Sequence, residues 1–364
     1  MNKYYIASEI NYNFLRQRHQ IFAEAMSEKY KVVFLERVPS RIPYNKLVGM
    51  AKKIFSRKKA NIGIDKLNIV VKLSYMLPSI GFIFRFYNKV RAKLILKSAR
   101  PGDIFHQFSN SPELAREAKK RGCVVIFDII HNWWEFPYHP SVQRRNLAEN
   151  LAIADIVISD SELTLSRAKR EYGIANKKFQ LIHPGVESFW FSSEPWQPPG
   201  CVAKIIFFGN LRANSDTNII IKIMNNKALN ITFYGLLDTT LKREDRTEFS
   251  AGYKGQLDVR NLAETVKLFD MILLPYDKSN FSQTIFPAKY FEVLATGKPV
   301  LSNSELLHLP GWTEFIWTSA ELDKLGAAKL IEIHYSNRSQ RQIDLARRNT
   351  WSERIRDLER LISG

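Results

Sequence analysis

Short apolar runs alternate with amphipathic stretches along most of the chain. Runs rich in β-branched and aromatic residues predict strands, and stretches with apolar positions three and four apart predict helices. Such alternation is typical of a parallel sheet covered by helices on both faces. In the first half the predicted strands are 4–7, 32–35, 103–106, 124–128, 156–159 and 179–182, and the predicted helices are 14–29, 112–121 and 146–153.

The same alternation starts again after 192–200, a segment rich in proline and serine that predicts an interdomain linker. A chain of 364 residues is long enough for two domains with separate cores. We therefore expect domains at 1–191 and 201–350, followed by an amphipathic helix at the chain end, within 351–364. The second half predicts strands at 204–208, 231–234, 271–275 and 299–301, and helices at 217–224, 260–268 and 288–295.

Positive charge is concentrated in one window of the first half. The formal net charge is +18, and between Arg37 and Arg100 there are 16 Lys and Arg against one acid, Asp65, which leaves +15 in that window. Such a surface favours an anionic partner, either nucleic acid or a membrane. The chain lacks zinc-finger, RRM and basic-zipper patterns. We therefore expect an anionic membrane surface and no nucleic acid.

Two stretches of the basic window combine apolar and basic positions. The residues Tyr44, Leu47, Val48, Ala51, Ile54 and Phe55 form one apolar face among lysines and arginines. The stretch 79–100 repeats the mixture with aromatic residues. Both are typical of helices that lie in a membrane interface, although a core-packing helix with a solvated basic face is the alternative. The apolar stretch 69–84 is too short to cross a bilayer and contains Lys72 and Pro78.

The cysteines and the N-terminus bear on the compartment. Cys123 and Cys201 are the two cysteines, and neither has metal-ligand spacing around it. The N-terminus leads directly into a predicted strand and lacks the apolar stretch of a signal peptide. We expect a cytoplasmic protein whose two cysteines do not bind a metal.

Glycines follow two predicted strands of the second half. Gly209 follows 204–208 and precedes Arg212, which could contact a phosphate, and Gly235 follows 231–234. Nucleotides are bound at the carboxyl ends of parallel strands, by loops and helix N-termini. An ordinary strand-to-helix turn with a surface arginine would show the same pattern.

The segment 284–300 carries more chemical information. Pro287 suits the first turn of a helix, and Lys289 lies in that turn, where a cation opposes the helix dipole. A cation is expected there if an anion such as a diphosphate binds at the same end. Glu292, one turn later on the same face, could accept both hydroxyls of a ribose. The alternative is a surface ion pair on an amphipathic helix.

The run FPAKYFEVLATGKPVLSN resembles a helix of GT-B glycosyltransferases, especially the retaining family four. The segments LIHPGVESFWF, ADIVISDSELT and FDMILLPY, and the closing NTWSERIRDLERLI, resemble further family segments in the same order. The resemblance implies an α/β GT-B fold, in which two Rossmann-like, doubly wound domains face a cleft. It also implies that the last helix packs back on the first domain, and that the protein needs no metal and no cofactor.

The resemblance assigns roles by position. Glu292 would bind the donor ribose, Lys289 and Arg212 the diphosphate, and Gly209 would let the backbone approach the phosphates. Gly235, Thr284 and Pro287 would complete the nucleotide-sugar site. The segment FDIIHNWWEF implies His131 as an active-site residue. Asp128 could instead be the working carboxylate or a structural strand-end residue, and His131 could be a loop histidine without a catalytic task.

The chain departs from the family at three places. Thr284 stands where the first glutamate of the E-x7-E pair is expected, which leaves the sugar and the retaining outcome open. Pro287 removes a backbone N–H from phosphate binding. The glycine-rich loop after the first strand is replaced by a segment with Arg16 and Arg18, which could face an anionic acceptor or simply lie on a helix surface.

These observations predict a peripherally membrane-bound glycosyltransferase. It would move a sugar from a nucleoside-diphosphate sugar to a lipid-linked saccharide or another surface-glycan precursor. The alternatives are a non-catalytic nucleotide-binding module on the same scaffold and a nucleotide-sugar epimerase.

Overall fold

The computed structural model describes residues 1–13, 16–36, 68–74, 76, 81–136, 139–173, 178–191, 200–212 and 215–363. The chain divides into two compact units, Met1–Ile182 and His183–Gly364. The predicted helix around Tyr44–Phe55 lies outside the described residues, as does the predicted linker 192–200 except for Gly200. Each unit is an α/β structure around its own parallel sheet.

Unit 1 contains a seven-stranded parallel sheet in the order β3-β2-β1-β4-β5-β6-β7. This order is doubly wound, because the strand sequence reverses between β1 and β4. The strands are β1 Lys3–Ala7, β2 Lys31–Glu36, β3 Ile69–Leu73, β4 Ile104–Gln107, β5 Val124–Ile129, β6 Ile156–Ser159 and β7 Lys178–Leu181.

Helices cover this sheet and bury strand side chains that point to either face. Tyr4 and Tyr5 point to opposite faces and are both buried, as expected for a parallel sheet between two helical layers. The helices of unit 1 are α1 Arg18–Met26, α2 Gly81–Ile95, α3 Pro112–Lys120, α4 Pro140–Ile153 and α5 Glu162–Tyr172. Helix α1 is shorter than predicted and begins after a capping box formed by Gln17 and Gln20.

Unit 2 contains a five-stranded parallel sheet in the order β12-β11-β10-β8-β9. Ile206 and Phe208 face one apolar cluster, whereas Ile205 and Phe207 face another on the opposite side. The sheet is therefore also buried on both faces. The strands are β8 Ala203–Leu211, β9 Leu229–Leu237, β10 Met271–Leu273, β11 Val300–Leu301 and β12 Ile316–Trp317.

Ten helices of unit 2 follow in the described part of the chain, and several of them were not predicted. This group includes the helices Asn280–Thr284, Ser319–Leu325, Ala327–Asn337 and Ser339–Arg347. Their sequences are short or lack a clear apolar period. The helices are α6 Thr217–Met224, α7 Arg243–Phe249, α8 Val259–Lys267, α9 Asn280–Thr284, α10 Tyr290–Ala295, α11 Trp312–Phe315, α12 Ser319–Leu325, α13 Ala327–Asn337, α14 Ser339–Arg347 and α15 Trp351–Ser363.

The boundary between the units lies earlier than the predicted domain end at 191. Val186 pairs with Thr350 in a parallel bridge, and the ring of Trp190 stacks on Phe208 at 5.4 Å. The segment that follows β7 therefore belongs to unit 2. Helix α15 also belongs to unit 2 by its contacts, while its packing on unit 1 stays a prediction.

Within the described ranges, none of the helices has the length and apolar character needed to cross a membrane.

Candidate functional site

Two glycines lie side by side in the sheet of unit 2. Gly209 of β8 pairs with Gly235 of β9, and both have positive φ, +119° and +127°. A Cβ at Gly235 would lie 2.0 Å from the carbonyl oxygen of Gly209. Only glycine fits this close approach without strain. The sequence predicts that the two strands end just before these glycines. In the structure the strands continue through the glycines to Leu211 and Leu237.

Lys289 reaches from the start of α10 to the end of β8. Its ammonium donates a hydrogen bond to the carbonyl of Phe208 and lies 4.4 Å from the ring centre of Phe207. A Cβ at Gly209 would lie 2.5 Å from Lys289 Nζ. Burial lowers the pKa of Lys289 to about 8, although neighbouring Glu292 favours the charged form. Lys289 is thus a desolvated cation beside the glycine pair.

Glu292 lies in the first turn of α10, one turn beyond Lys289. Burial raises the pKa of Glu292 to about 8; Lys289 opposes this shift and Glu187 adds to it. A carboxyl group that is desolvated next to one cation and one acid is typical of a binding or catalytic position. Each residue shifts the pKa of the other, so Lys289 and Glu292 form one electrostatic group. Their roles in donor binding stay a prediction.

Arg212 extends this group from the loop after β8. Its side chain is 56% exposed, and its Nε lies 4.0 Å from Oδ2 of Asp238. Arg212 also lowers the pKa of Lys289, after burial and Glu292, so the two cations lie within electrostatic range of each other. An exposed guanidinium near a desolvated ammonium suits a ligand with two phosphates.

The remaining predicted donor residues precede α10. Thr284 ends α9, and its hydroxyl donates to the carbonyl of Asn280 at 3.2 Å. Pro287 is buried, and its carbonyl accepts from the N–H of Tyr290 at 2.9 Å. The helix thus begins at Tyr290 rather than at 288, and Lys289 is its N-cap residue. The assignment of Thr284 and Pro287 to donor binding stays a prediction.

A cavity of about 680 Å³ opens at the carboxyl ends of β8, β10, β11 and β12. Sequence reasoning missed its lining, because the residues come from four separate loops and carry no shared motif. The predicted donor residues are not among the lining residues, so the cavity and the group around Lys289 are distinct features of this edge. The lining is mostly polar: Ser215, Asp216, Thr217, Asn218, Asp277, Lys278, Asn303, Ser304, Glu305, Thr318, Ser319 and Ala320.

Asp128 lies at the centre of a buried polar chain in unit 1. Its Oδ2 accepts from Nε of Arg18 at 2.8 Å and lies 3.2 Å from Nε2 of His106, whose Nδ1 lies 2.7 Å from the hydroxyl of Tyr4. Burial alone would raise the pKa of Asp128, but Arg18 and His106 hold it below the usual value. This environment suits the structural role that the sequence leaves open, because the side chain is fully buried.

The two arginines proposed to face an acceptor differ in their surroundings. Arg18 is buried; besides Asp128, it donates to the carbonyl of Ile182 at 2.7 Å. A position on a helix surface is therefore wrong for Arg18, because its guanidinium compensates a buried carboxylate. Arg16 is 39% exposed and forms an ion pair with Glu24. An acceptor role for either arginine stays a prediction.

His131 follows β5 and remains accessible, with 40% of its side chain exposed. Its Nε2 lies 3.3 Å from Oε2 of Glu9, and its ring meets Trp133 edge-on at 5.3 Å. Of the two residues proposed for catalysis, His131 is the one that a substrate could reach. Sequence reasoning missed Glu9, which lies far from His131 along the chain and carries no motif.

Two further ionisable residues lie near His131 at the carboxyl edge of the sheet. Burial raises the pKa of Asp160 to about 7, against the influence of Arg18. Burial lowers the pKa of His19 to about 3, and its Nδ1 lies 2.8 Å from the hydroxyl of Ser8. Ionisable groups therefore converge near the carboxyl ends of β1, β5 and β6. Among the described residues no group of three or more His, Cys, Asp or Glu is placed to hold a metal ion.

Comparison with known proteins defines the class of fold. No family model matches the chain. The solved structure of Anabaena Alr3699/HepE in complex with UDP and glucose is similar over 100% of both chains, with a TM-score of 0.66 at 11% identity. The apo lipopolysaccharide outer core galactosyltransferase WaaB is similar over 99% of this chain and 98% of its own, with a TM-score of 0.61 at 14% identity. The fold is GT-B, as predicted.

Two other proteins are similar to the chain, one in structure and one over part of its sequence. A Listeria monocytogenes protein, provisionally described as a UDP-N-acetylglucosamine 2-epimerase, gives a TM-score of 0.50 at 12% identity over 96% of this chain and 91% of its own. A protein of Bacillus subtilis (strain 168), provisionally named the teichuronic acid biosynthesis glycosyltransferase TuaH, is 26% identical over 106 residues. That match spans 28% of this chain and about a quarter of the relative, 27% of its length.

Proposed function

We propose that this protein is a glycosyltransferase that uses a nucleoside-diphosphate sugar. The observation that carries the proposal is the pairing of Lys289 and Glu292 at the start of α10, next to the positive-φ glycine at 209. One residue supplies a cation for phosphate and the other a carboxylate for ribose hydroxyls. Both residues lie at a helix N-terminus, and Lys289 contacts the carboxyl-terminal part of β8. Helix N-termini and strand ends are where parallel α/β structures bind nucleotides.

The donor would be held by charge at one end and by hydrogen bonds at the other. The ammonium of Lys289 and the guanidinium of Arg212 would neutralise the diphosphate, which gains negative charge as the bond to the sugar breaks. Bound diphosphate would also favour the ammonium form of Lys289, which burial alone disfavours. The similarity to HepE, solved with UDP and glucose, makes a UDP-hexose the first donor to test. No metal is needed for this step.

The acceptor that we propose is a lipid-linked saccharide or another surface-glycan precursor, used at the cytoplasmic face of the membrane. Helix α2 supports this proposal, because it bears seven of the fourteen exposed large hydrophobic residues in the described chain. Phe82 and Phe86 are 83% and 60% exposed. Exposed Lys89 and Lys93 lie on the same helix. Apolar and basic side chains together suit an anionic lipid surface.

The resemblance to the retaining family implies that the sugar keeps its anomeric configuration. That expectation partly depends on the first glutamate of the family's E-x7-E pair, and Thr284 stands at its position. The threonine hydroxyl donates to the carbonyl of Asn280. Proton NMR of the product would assign the configuration directly.

Thermal stability measured across nucleoside diphosphates and their sugars tests the donor. A ligand at about 100 times its dissociation constant should stabilise the fold by about 2.7 kcal/mol. Transfer is then measured with the stabilising donor and a lipid-linked acceptor. Stabilisation without transfer or hydrolysis would favour the non-catalytic nucleotide-binding module, whereas conversion of the free donor to its epimer would favour the epimerase.

A further inference from the structure

The polar cavity of unit 2 adjoins a residue that is proposed to bind the diphosphate. Its volume of about 680 Å³ lies within the range of small-molecule sites, roughly 300–1,000 Å³. Ser215 belongs to the lining and is bonded to Arg212 through two hydrogen bonds. The N–H of Ser215 donates to the carbonyl of Arg212 at 2.9 Å, and its Oγ accepts from the N–H of Arg212 at 3.1 Å. The cavity therefore begins next to Arg212, within the same unit.

Negative charge exceeds positive charge in the lining. Among the described residues that line the cavity, the charged ones are Asp216, Asp277, Lys278 and Glu305. Lys278 forms an ion pair with Glu305 at 3.1 Å, and the two side chains are 66% and 68% exposed. The charges of the two aspartates are thus not balanced within the lining. An anionic group in the cavity would lie close to both carboxylates and would be repelled.

Each of these aspartates uses one carboxylate oxygen to hold its own loop. Oδ1 of Asp216 accepts from the N–H groups of Asn218 and Ile219 at 3.1 and 3.3 Å. Oδ1 of Asp277 accepts from the N–H and the hydroxyl of Ser279 at 3.3 and 2.7 Å. Within the described chain, Oδ2 of each aspartate makes no hydrogen bond. Both carboxylates are therefore fixed in position and keep one oxygen for a ligand.

Amide and hydroxyl groups complete the lining. Oδ1 of Asn303 accepts from the N–H of Ser319 at 3.0 Å, so its NH₂ group can donate to a ligand. The half-buried hydroxyl of Thr217 can donate or accept. Carboxylate oxygens accept protons from hydroxyl groups, whereas amides donate to hydroxyl oxygens. An apolar ligand would leave these polar groups without partners, but an uncharged sugar with several hydroxyls would satisfy both kinds.

We propose that the cavity receives the sugar of the nucleoside-diphosphate donor and selects uncharged sugars over sugars that carry a carboxylate. This inference rests on the proposed function, because a diphosphate bound by Arg212 would place the sugar beside Ser215. Asp216 and Asp277 are the specificity-determining residues. Their free oxygens accept protons from the sugar hydroxyls, and their charges repel a sugar carboxylate.

Calorimetry with UDP, UDP-glucose and UDP-glucuronate tests this charge selection. The two sugars have the same ring and differ in one carboxylate, and UDP alone gives the reference affinity. We expect UDP-glucose to bind about tenfold or more tightly than UDP-glucuronate at low ionic strength, because two carboxylates oppose the acid. The difference should become smaller as salt is added, since salt screens the repulsion.

Two charge-removing variants locate the selection in the cavity. Asp216→Asn and Asp277→Asn keep the shape of the side chain, and asparagine also caps helices well. Each variant should reduce the preference for UDP-glucose about fivefold, while the affinity for UDP changes less than about twofold. The matched control is Asp258→Asn. Asp258 caps α8 through two backbone N–H groups at 3.1 Å but lies outside the cavity lining, so the preference should not change.

The possible outcomes separate this inference from the proposed function. Equal or tighter binding of UDP-glucuronate by the wild-type protein would overturn the inference, and bound UDP would leave the proposed function intact. A preference that persists in the double variant Asp216→Asn/Asp277→Asn would also overturn it. If no nucleoside diphosphate bound at all, the proposed function would be defeated, and the inference with it.

Discussion

The ammonium of Lys289 occupies the space that a side chain at Gly209 would need, since a Cβ there would lie 2.5 Å from Nζ. The lysine reaches the carbonyl of Phe208 by passing over this glycine. A backbone position and the position of an ammonium group are therefore coupled, and glycine is required by this contact as well as by its own φ of +119°.

This coupling makes Gly209→Ala a test of the donor site. The new methyl group should displace Lys289 Nζ, and the positive φ adds strain, so we expect nucleoside diphosphate affinity to fall about tenfold or more. Calorimetry with UDP checks the affinity. The matched control is Gly326→Ala, which has a φ of +76° but no atom within 4 Å of its Cβ. Equal losses in the two variants would show that strain alone is responsible.

Glu292→Ala should weaken binding of the nucleoside part of the donor. A hydrogen bond to a charged group contributes about 1.5–3 kcal/mol, so the dissociation constant should rise more than about tenfold. Calorimetry with UDP and with uridine measures this change. Glu264→Ala, which removes a 65% exposed carboxylate from α8, is the control. Unchanged affinity in folded Glu292→Ala would remove Glu292 from the ribose site.

The two groups of the donor site should give opposite pH dependences. The pKa of Lys289 is lowered to about 8, so its ammonium is present below that pH and is lost above it. Pyrophosphate binding should therefore weaken as pH rises through about 8. The pKa of Glu292 is raised to about 8, so its carboxylate forms over the same range and uridine binding should strengthen.

Lys289→Met should remove much of the pH dependence of pyrophosphate binding, and Arg212→Ala should weaken that binding while keeping the dependence. In both variants UDP should lose more affinity than uridine. If UDP and uridine weaken equally, the two cations have no role in phosphate binding.

Helix α2 should bind anionic vesicles. Replacement of Phe82 and Phe86 by Ser should lower co-sedimentation with vesicles rich in phosphatidylglycerol, because each exposed aromatic ring would lose its burial in the interface. Replacement of Lys89 and Lys93 by Gln should weaken vesicle binding by about 1 kcal/mol per lysine, and added salt should also weaken it. Leu268→Ser and Leu307→Ser, on exposed positions of unit 2, are matched controls. Equal binding to neutral and anionic vesicles would exclude the electrostatic contribution.

Unit 2 should lose stability in acid through His334. This buried ring accepts from the indole N–H of Trp317 at 3.0 Å and lies 3.1 Å from the carbonyl of Gly297, and burial lowers its pKa to about 3. In the unfolded chain the histidine takes up a proton as the pH falls below about 6.5, whereas in the folded unit it stays neutral until about pH 3. The stabilisation is therefore complete above pH 6.5 and decreases toward pH 3, by up to about 1.4 kcal/mol per pH unit.

Urea unfolding at several pH values checks the contribution of His334. His334→Gln should be less stable at pH 7 and should show a shallower loss between pH 6 and pH 4. A slope identical to that of the wild-type protein would assign the acid sensitivity to other groups.

Much of the fold could be predicted from the sequence, because local patterns determine strands that are buried on both faces. Strand β6 was predicted with its observed bounds. The extensions of β8 and β9 were not, because glycine usually marks a strand end, and here Gly209 and Gly235 pair with each other instead.

The donor-binding roles of Lys289 and Glu292 rest on the resemblance and stay predictions, since the two residues alone also fit a surface ion pair. The side-chain contacts within unit 1 could not be predicted, because residues that are distant in the sequence meet there only after folding. Arg18 lies 110 positions from Asp128, and its burial has no local signal. The Glu9–His131 contact and the cavity lined by four loops could not be predicted for the same reason, because their residues are distant in the sequence.

The bridge between Val186 and Thr350 has a mechanical consequence. The N–H of Val186 donates to Asn349 at 3.0 Å and its carbonyl accepts from Trp351 at 3.2 Å, so the chain enters unit 2 beside the start of its final helix. A Cβ at Gly185 would lie 2.5 Å from the nitrogen of Trp351, which leaves no room for a larger residue. A force that pulls on unit 2 at its first residues would load these few hydrogen bonds before it loads those of the sheet.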